Sequence, residues 1–419
     1  VPRAAALKVE REVRIDRLGA QGDGIAETDA GRVFVSFAAP GDVVRVALEN
    51  ERGRIIEFVR PSPDRTEPLC RHFGTCGGCA VQHLVPDAYE RWKREAVAAA
   101  LAARGLEAQI AGFHCSPAGS RRRAVFAAQR GKDGWRIGFR KRGSRDLVPL
   151  KECPVLKPAL FAFAAEAAPA LLDLLPKAVD AAALHATAFP DGIDLSIDKT
   201  RVVPLDEAAF RMIGSAEGLG VARLSLDGEI AASFRAPTIR MGRAAVRPPP
   251  RAFLQATAEG EATLQSLVRA GVADAGRVAD LFAGIGTFAL DLAAEAGVLA
   301  VEGEAGAVSA LAAAARGAAG LKPVEADRRD LFRRPLSAQD LKGFDAVVFD
   351  PPRAGAAEQA AEIAKSAVPR VVAVSCNAAT FARDARTLAE GGYHLARLDL
   401  VDQFVFSPHI EIVAAFERS

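Results

Sequence analysis

The feature that most constrains this chain is a short strand running directly into a glycine turn. Val278-Ala279-Asp280-Leu281-Phe282 is an apolar run, and Ala283-Gly284-Ile285-Gly286-Thr287-Phe288 follows it and opens an apolar-periodic helix. Glycines at such a junction let the backbone turn sharply and approach a ligand closely. The pattern then repeats. Val298-Leu299-Ala300-Val301 ends in Glu302, Phe344 to Phe349 ends in Asp350-Pro351-Pro352-Arg353, and Val371 to Val374 ends in Ser375-Cys376-Asn377, with helical stretches between. This alternation predicts a doubly wound, Rossmann-like α/β sheet whose polar strand ends converge on one crevice. Pro248-Pro249-Pro250 marks where the pattern begins, so residues 251–419 read as one domain.

The rest of the 419 residues leaves room for one or two more domains. Val13 to Ile15, Val33 to Val35, Val43 to Val46 and Arg54 to Val59 read as short strands, punctuated by Gly19, Gly22, Gly24 and Pro40-Gly41-Asp42. They predict a small β-barrel over 1–62. A proline-rich linker follows. Residues 63–250 read as a mixed α+β central domain, beginning with three cysteines and a helix over 88–104. The most apolar helical stretch, 164–184, is interrupted by Glu166, Asp173, Pro176, Lys177 and Asp180, so no segment reads as a membrane span. Residues 1–17 are charged and do not read as a secretory signal. A cytoplasmic enzyme is the expectation.

Charge is uneven. The net charge is only +2, yet between Arg121 and Arg145 ten Lys and Arg stand against one acid, Asp133. That segment is a candidate footprint for the phosphates of a nucleic acid, the alternative being a solvated strand surface.

Two details of the glycine turn favour S-adenosylmethionine over a nicotinamide dinucleotide. Asp280 stands just before the turn, and the third glycine of the dinucleotide fingerprint is missing. Glu302, at the tip of the second strand, can bond a ribose diol. Asp327, after the strand Pro323 to Ala326, could meet the adenine end or serve as a helix N-cap. Cys376 ends a strand on the same edge as Gly284, Glu302 and Asp350, which makes it a candidate nucleophile rather than an inert buried thiol. Glu411, in Ser407-Pro408-His409-Ile410-Glu411, is the candidate base, with His409 second. Cys70, Cys76 and Cys79 are spaced C-x5-C-x2-C, with Cys153 downstream. Four such thiolates suit a [4Fe–4S] cluster or zinc, although zinc more often uses two close pairs. Cys115 falls outside the set.

Several motifs together resemble the RNA uridine C5-methyltransferases. They are Cys70…Cys76-Gly77-Gly78-Cys79, Gly138-Phe139-Arg140…Glu152-Cys153-Pro154, Phe253-Leu254-Gln255, Asp280 to Phe288, Asp350 to Gly355, Ser375-Cys376-Asn377 and His409-Ile410-Glu411, spread over nearly the whole chain. The resemblance implies Cys376 as nucleophile and Glu411 as base. It implies contacts to S-adenosylmethionine from Gln255, Phe282, Thr287, Glu302, Asp327 and Asp350, and a ring beside the target base from Phe253. It implies that the barrel is a TRAM module, that Cys70, Cys76, Cys79 and Cys153 hold a structural [4Fe–4S] cluster, and that the helix over 88–104 packs with the methyltransferase domain. A thiolate adding to C6 of uracil would make C5 nucleophilic, and the base would be flipped out to be reached. The expected partner is RNA, ribosomal before transfer RNA, acted on by a monomer. Two positions depart from the family: Ala378 replaces the usual proline after Ser-Cys-Asn, and Ala283 replaces a frequent cysteine. The C-x3-C-x2-C spacing of radical enzymes and the Pro-Cys of DNA cytosine methyltransferases are both missing.

Overall fold

The computed structural model describes residues 9–199 and 206–418. The start of the expected charged N-terminus, residues 1–8, lies outside the described residues. The chain divides into two compact units. One holds the residues up to Ala99 with Lys141–Ser144 and Phe406–Pro408, and the other holds Ala100–Arg140, Arg145–Val405 and His409 onward.

The first unit contains a six-stranded sheet in the order Val9–Arg14, Val43–Glu49, Arg52–Arg60, Gly31–Val35, Gly24–Thr28, Arg17–Leu18. The two outer strands are consecutive in the chain, so residues 9–18 pair at both edges and close the sheet on itself. Alternate residues Val13, Ile15, Val33, Val35, Val44 and Val46 fill the interior, as the period of two in a strand requires. Asp42, fully buried, ties the closing turn to the linker by accepting from the amides of Ala39 (2.6 Å) and Ser62 (2.8 Å) and from Arg65 (2.8 Å). The strand Gly24–Thr28 has three buried residues in a row followed by Glu27. It lacks the alternation that would have marked it in the sequence. A helix, Pro86–Ala102, begins in this unit, and Trp92 Nε1 donates to the Gly19 carbonyl at 3.0 Å.

The second unit carries two large sheets. The first has seven strands in the order Leu147–Pro149, Gly134–Arg140, Arg123–Gly131, Ala181–Phe189, Gly192–Lys199, Val221–Leu226, Glu229–Ser233. Its core includes Phe126, Leu160, Leu171, Leu184 and Leu195. The apolar stretch expected as one helix over 164–184 is split: helical structure with one π turn ends at Leu172, and Ala181 starts a strand. Pro176 and the charges around it break the run, and the small alternating residues of Ala181–Phe189 complete the sheet. Among the described residues no helix is long and apolar enough to cross a membrane.

The second sheet has eight strands in the order Val324–Arg328, Gly297–Glu302, Arg277–Leu281, Ala346–Phe349, Arg370–Ser375, Glu411–Arg418, Tyr393–Asp402, Gly112–Cys115. The first five are parallel, and Glu411–Arg418 is antiparallel to both neighbours. The alternation read from the sequence is therefore a doubly wound sheet. The strand Gly112–Cys115 joins it by pairing with Tyr393–Asp402, although it lies far upstream of the proline run. Four residues carry too little pattern to assign to a sheet from sequence.

Candidate active site

Strand order places the candidate residues on one edge. Phe282 (φ +61°), Gly284 (φ +56°) and Gly286 (φ +98°) turn the chain after Arg277–Leu281. At Gly286 a side chain would strike Leu290, whereas at Gly284 it would meet no atom within 4 Å. Gly286 thus allows close packing and Gly284 leaves an open approach to the backbone. The helix after the turn is short, Ala289–Leu292, because the turn itself runs on to Phe288.

Glu302 ends its strand beside this turn. One of its carboxylate oxygens accepts from the Gly284 amide at 3.0 Å and the other from the Glu304 amide at 2.8 Å. The acid is thereby held in place at the strand tip. Asp327 lies within the strand Val324–Arg328, opposite Val301, rather than after it, so it caps no helix. Arg329 Nε donates to it at 3.1 Å. Asp280 is fully buried, and burial, with the charges of Asp350 and Glu302, pushes its pKa well above the carboxylate range. The half-buried Thr287 contributes its carbonyl to Gln265 at 2.9 Å. A buried acid under an open glycine turn and an anchored carboxylate at the next strand tip fit an adenosyl cofactor with a ribose diol.

The register of the sheet brings Cys376 and Glu411 together. Ser375 pairs with Ile412 in an antiparallel ladder, so Cys376 and Glu411 occupy the next position at facing strand ends. Cross-strand neighbours share a face. Burial pushes the Cys376 thiol up to about 11, with the carboxyls of Glu411 and Asp350 adding and Arg353 opposing. Burial also raises Glu411, to about 8, with Asp350 adding and Gln403, Arg123 and Arg353 opposing. Asp350 is raised to about 7 by burial, opposed by a hydrogen bond from Gln255 at 3.4 Å. Two carboxyls that each resist ionisation suit proton transfer near neutrality. His409 meets Arg353 through its ring nitrogens at 2.7 and 3.1 Å.

Three residues to which the sequence assigned no role complete the arrangement. Gln403, 1% exposed, donates to Glu411 at 3.2 Å and to Gln255 at 2.5 Å, and accepts from the Ala256 amide at 2.6 Å. Arg353 offers its carbonyl to Asn377 Nδ2 at 3.1 Å and to Thr380 at 3.3 Å. Asn377 caps the helix Ala378–Glu390 by accepting from the amides of Ala379 and Thr380. The N-terminus of that helix, which favours negative charge, therefore starts just after Cys376. Only Asn377 carried a signal, that of an N-cap residue before a helix.

The basic segment is less uniform than its composition implied. Arg122 is buried and paired with Glu261 at 2.5 Å, and its Nε donates to the Gln255 carbonyl at 2.9 Å. The Arg123 guanidinium stacks 4.6 Å from the Phe253 ring, and burial, with Arg121 and Arg122, lowers its pKa to about 10. Arg130 bonds the carbonyls of Val179 and Leu175, and Arg142 pairs with Asp23 at 2.9 Å. Of the ten cations, Lys132, Arg136, Arg140, Lys141 and Arg145 remain exposed to meet phosphates. The others are absorbed because their aliphatic stems and forked donors fit sites where the sheet brings carbonyls and acids close. Phe253 itself is 61% exposed, suited to stack on a base.

The [4Fe–4S] expectation is not supported. Among the described residues, no group of three or more His, Cys, Asp or Glu could hold a metal ion. Cys70, Cys76 and Cys79 lie along a run of turns in the first unit. Cys76 pairs through its backbone with Lys141, and its sulfur accepts from the Gly78 amide at 3.4 Å.

Comparison with known proteins identifies the family. A family model for tRNA (Uracil-5-)-methyltransferase matches residues 247–419, and a TRAM domain model matches 9–52. A Caulobacter vibrioides protein described as an "Uncharacterized RNA methyltransferase" is 45% identical, over 97% of this chain and 100% of its own. The Chromohalobacter salexigens 23S rRNA (uracil(1939)-C(5))-methyltransferase RlmD is 33% identical, over 100% of this chain and 94% of its own. The Pyrococcus abyssi tRNA (uracil-54, C5)-methyltransferase, solved with S-adenosyl-L-homocysteine, shares the fold with a TM-score of 0.73 at 23% identity, covering 97% of this chain and 100% of that one. With relatives of this kind along its whole length and a TRAM domain ahead of a Rossmann-like sheet, the chain belongs to the S-adenosylmethionine-dependent RNA uracil-C5-methyltransferases.

Proposed function

We propose that this enzyme methylates C5 of a uridine in large-subunit ribosomal RNA, with Cys376 as nucleophile and Glu411 as base. The observation that carries the mechanism is the juxtaposition of Cys376 and Glu411 at paired strand ends, with Asp350 close enough to raise both. S-adenosylmethionine, when bound, supplies the methyl group. Glu302 would hold its ribose, Asp327 its adenine end, and Gln255, Phe282, Thr287 and Asp350 the remainder. As thiolate, the sulfur of Cys376 would add to C6 of uracil, and the C5=C6 electrons would pass into the enolate. C5 would then take the methyl group as the bond between that methyl and the sulfonium sulfur breaks, leaving S-adenosyl-L-homocysteine. Glu411, as carboxylate, takes the proton from C5, the double bond re-forms, and the sulfur–C6 bond breaks to return the thiolate. Arg353 and the helix N-terminus after Asn377 favour that thiolate. Phe253 stacks on the flipped base, while the TRAM module and the exposed cations grip the RNA. The chain supplies every one of these residues itself, so the proposed site needs no second subunit.

The ribosomal target rests on the RlmD relative, which aligns along the whole chain. The test is mass-spectrometric mapping of 5-methyluridine in ribosomal and transfer RNA from a strain lacking the gene, with complementation by wild type and by Cys376→Ala. We expect one ribosomal uridine to lose its methyl group and only the wild-type gene to restore it. Loss confined to transfer RNA would overturn the target, and restoration by Cys376→Ala would overturn the nucleophile.

A further inference from the structure

We propose that Phe332 forms one wall of the adenosine pocket, a stacking contact supplied by the loop after the third strand of the parallel sheet. The inference rests on the cofactor site proposed above and adds a residue to it.

Phe332 is a large apolar side chain left 43% exposed. Its neighbour Leu331 is 2% exposed and anchors the loop. The Phe332 amide donates to Asp330 Oδ1 at 3.0 Å, which fixes the turn that presents the ring. That ring lies 5.4 Å from the ring of Phe282, tilted by 54°. Phe282 in turn occupies a left-handed backbone position, φ +61°, which is uncommon for a bulky residue and needs a surrounding structure to hold it.

The two rings flank the elements that the adenosine would meet. Two residues beyond Phe282, the Gly284 amide holds the Glu302 carboxylate. Three residues before Phe332, the Arg329 amide donates to the Glu302 carbonyl at 2.9 Å, and the Arg329 side chain holds Asp327. Phe282, Glu302, Asp327 and Phe332 therefore surround one short stretch of the sheet edge. A tilted ring pair covers only part of each π-face, so Phe332 retains surface for a planar heterocycle. An apolar ring beside two carboxylates matches adenosine, whose base is flat and apolar on its faces while its ribose carries the donors.

The test is calorimetry of S-adenosyl-L-homocysteine with the full chain, without RNA. Wild type, Phe332→Ala, Phe332→Trp and an exposed control, Phe210→Ala, are compared, each with a thermal melt. We expect Phe332→Ala to weaken binding about tenfold, equivalent to about 1.4 kcal/mol, Phe332→Trp to retain it, and the control to match wild type. Equal affinity of wild type and a folded Phe332→Ala would overturn the inference while leaving the cofactor site intact. An Ala variant that binds S-adenosyl-L-homocysteine normally but has lost RNA affinity would reassign the ring to RNA. Lack of binding by wild type would instead refute the cofactor site. If Phe332→Ala fails to melt cooperatively, Phe332→Leu decides: it keeps the bulk without the π-face, and wild-type affinity in it would overturn stacking.

Discussion

Replacing Gln403 by leucine tests the proton-transfer arrangement most directly. Leucine keeps much of the volume of this 1% exposed side chain and deletes its polar atoms. Glu411 loses the one side-chain hydrogen bond that holds its pKa down. A hydrogen bond to a charged group contributes roughly 1.5–3 kcal/mol, which corresponds to about one to two pH units. Glu411 would move from about 8 further into the alkaline range. Because the base must be ionised to accept the C5 proton, the ionised fraction at pH 8 would fall from about a half to between about a tenth and a hundredth. The expected result is a roughly 5- to 50-fold slower single-turnover methylation at pH 8, recovering as the pH is raised. The assay is transfer of labelled methyl to RNA in single turnover from pH 6 to pH 10. The Ala256 amide also loses its acceptor, a folding cost of about 1–3 kcal/mol that a melt reads separately. An acidic limb that stays at the wild-type pH, or moves lower, would refute Gln403 as a residue that positions and tunes Glu411.

Three further outcomes follow from the same structure. Arg122→Met leaves Glu261 buried without its cation and should cost about 3–5 kcal/mol, while Arg122→Met with Glu261→Leu should recover much of it; equal denaturation midpoints for single and double variants would show that the pair is not coupled. Ala378→Pro should be neutral or stabilise by up to about 1 kcal/mol, because Ala378 is the first residue of its helix and Asn377 is already extended (φ −138°, ψ 108°); a large loss on melting would refute that cap geometry. His83, fully buried, has its pKa lowered from 6.5 to about 4, first by burial and then by Arg65. Between those values the unfolded chain binds more protons than the folded one, so stability falls as pH drops from 6.5 towards 4, by up to about 3 kcal/mol. His83→Phe should flatten that part of the stability–pH curve, as measured by denaturant unfolding, and an unchanged slope would show that other groups cause it.

How much of the site could be read in advance follows from how local each signal is. Gly284 and Gly286 announce a turn because their positive φ needs glycine. Glu302, Asp350 and Cys376 were legible because each directly follows an apolar strand, and a parallel sheet sends all such ends to one edge. Gln403 had no local signal, since its partners Gln255 and Glu411 are brought to it only by the antiparallel pairing of Tyr393–Asp402 with Glu411–Arg418. Asp327 was misplaced by a residue or two, as strand ends usually are in sequence readings. The basic segment misled in a different way. Charge is visible in sequence, but whether Arg122 meets a phosphate or the buried Glu261 depends on which helix the strand faces.

The sequence by itself determined the strand–turn–helix pattern, a cysteine and an acid at the strand tips and the family to which the chain belongs, because these depend on residue type and short spacing. The tertiary structure decided that Gln403 holds Glu411, that His409 meets Arg353, and that half of the basic stripe is at least partly buried. It also withheld support from the four-cysteine cluster that the spacing had suggested. The physical reason is the same in each case. Register across a sheet joins residues tens to hundreds of positions apart, and burial then sets which protonation states those residues hold.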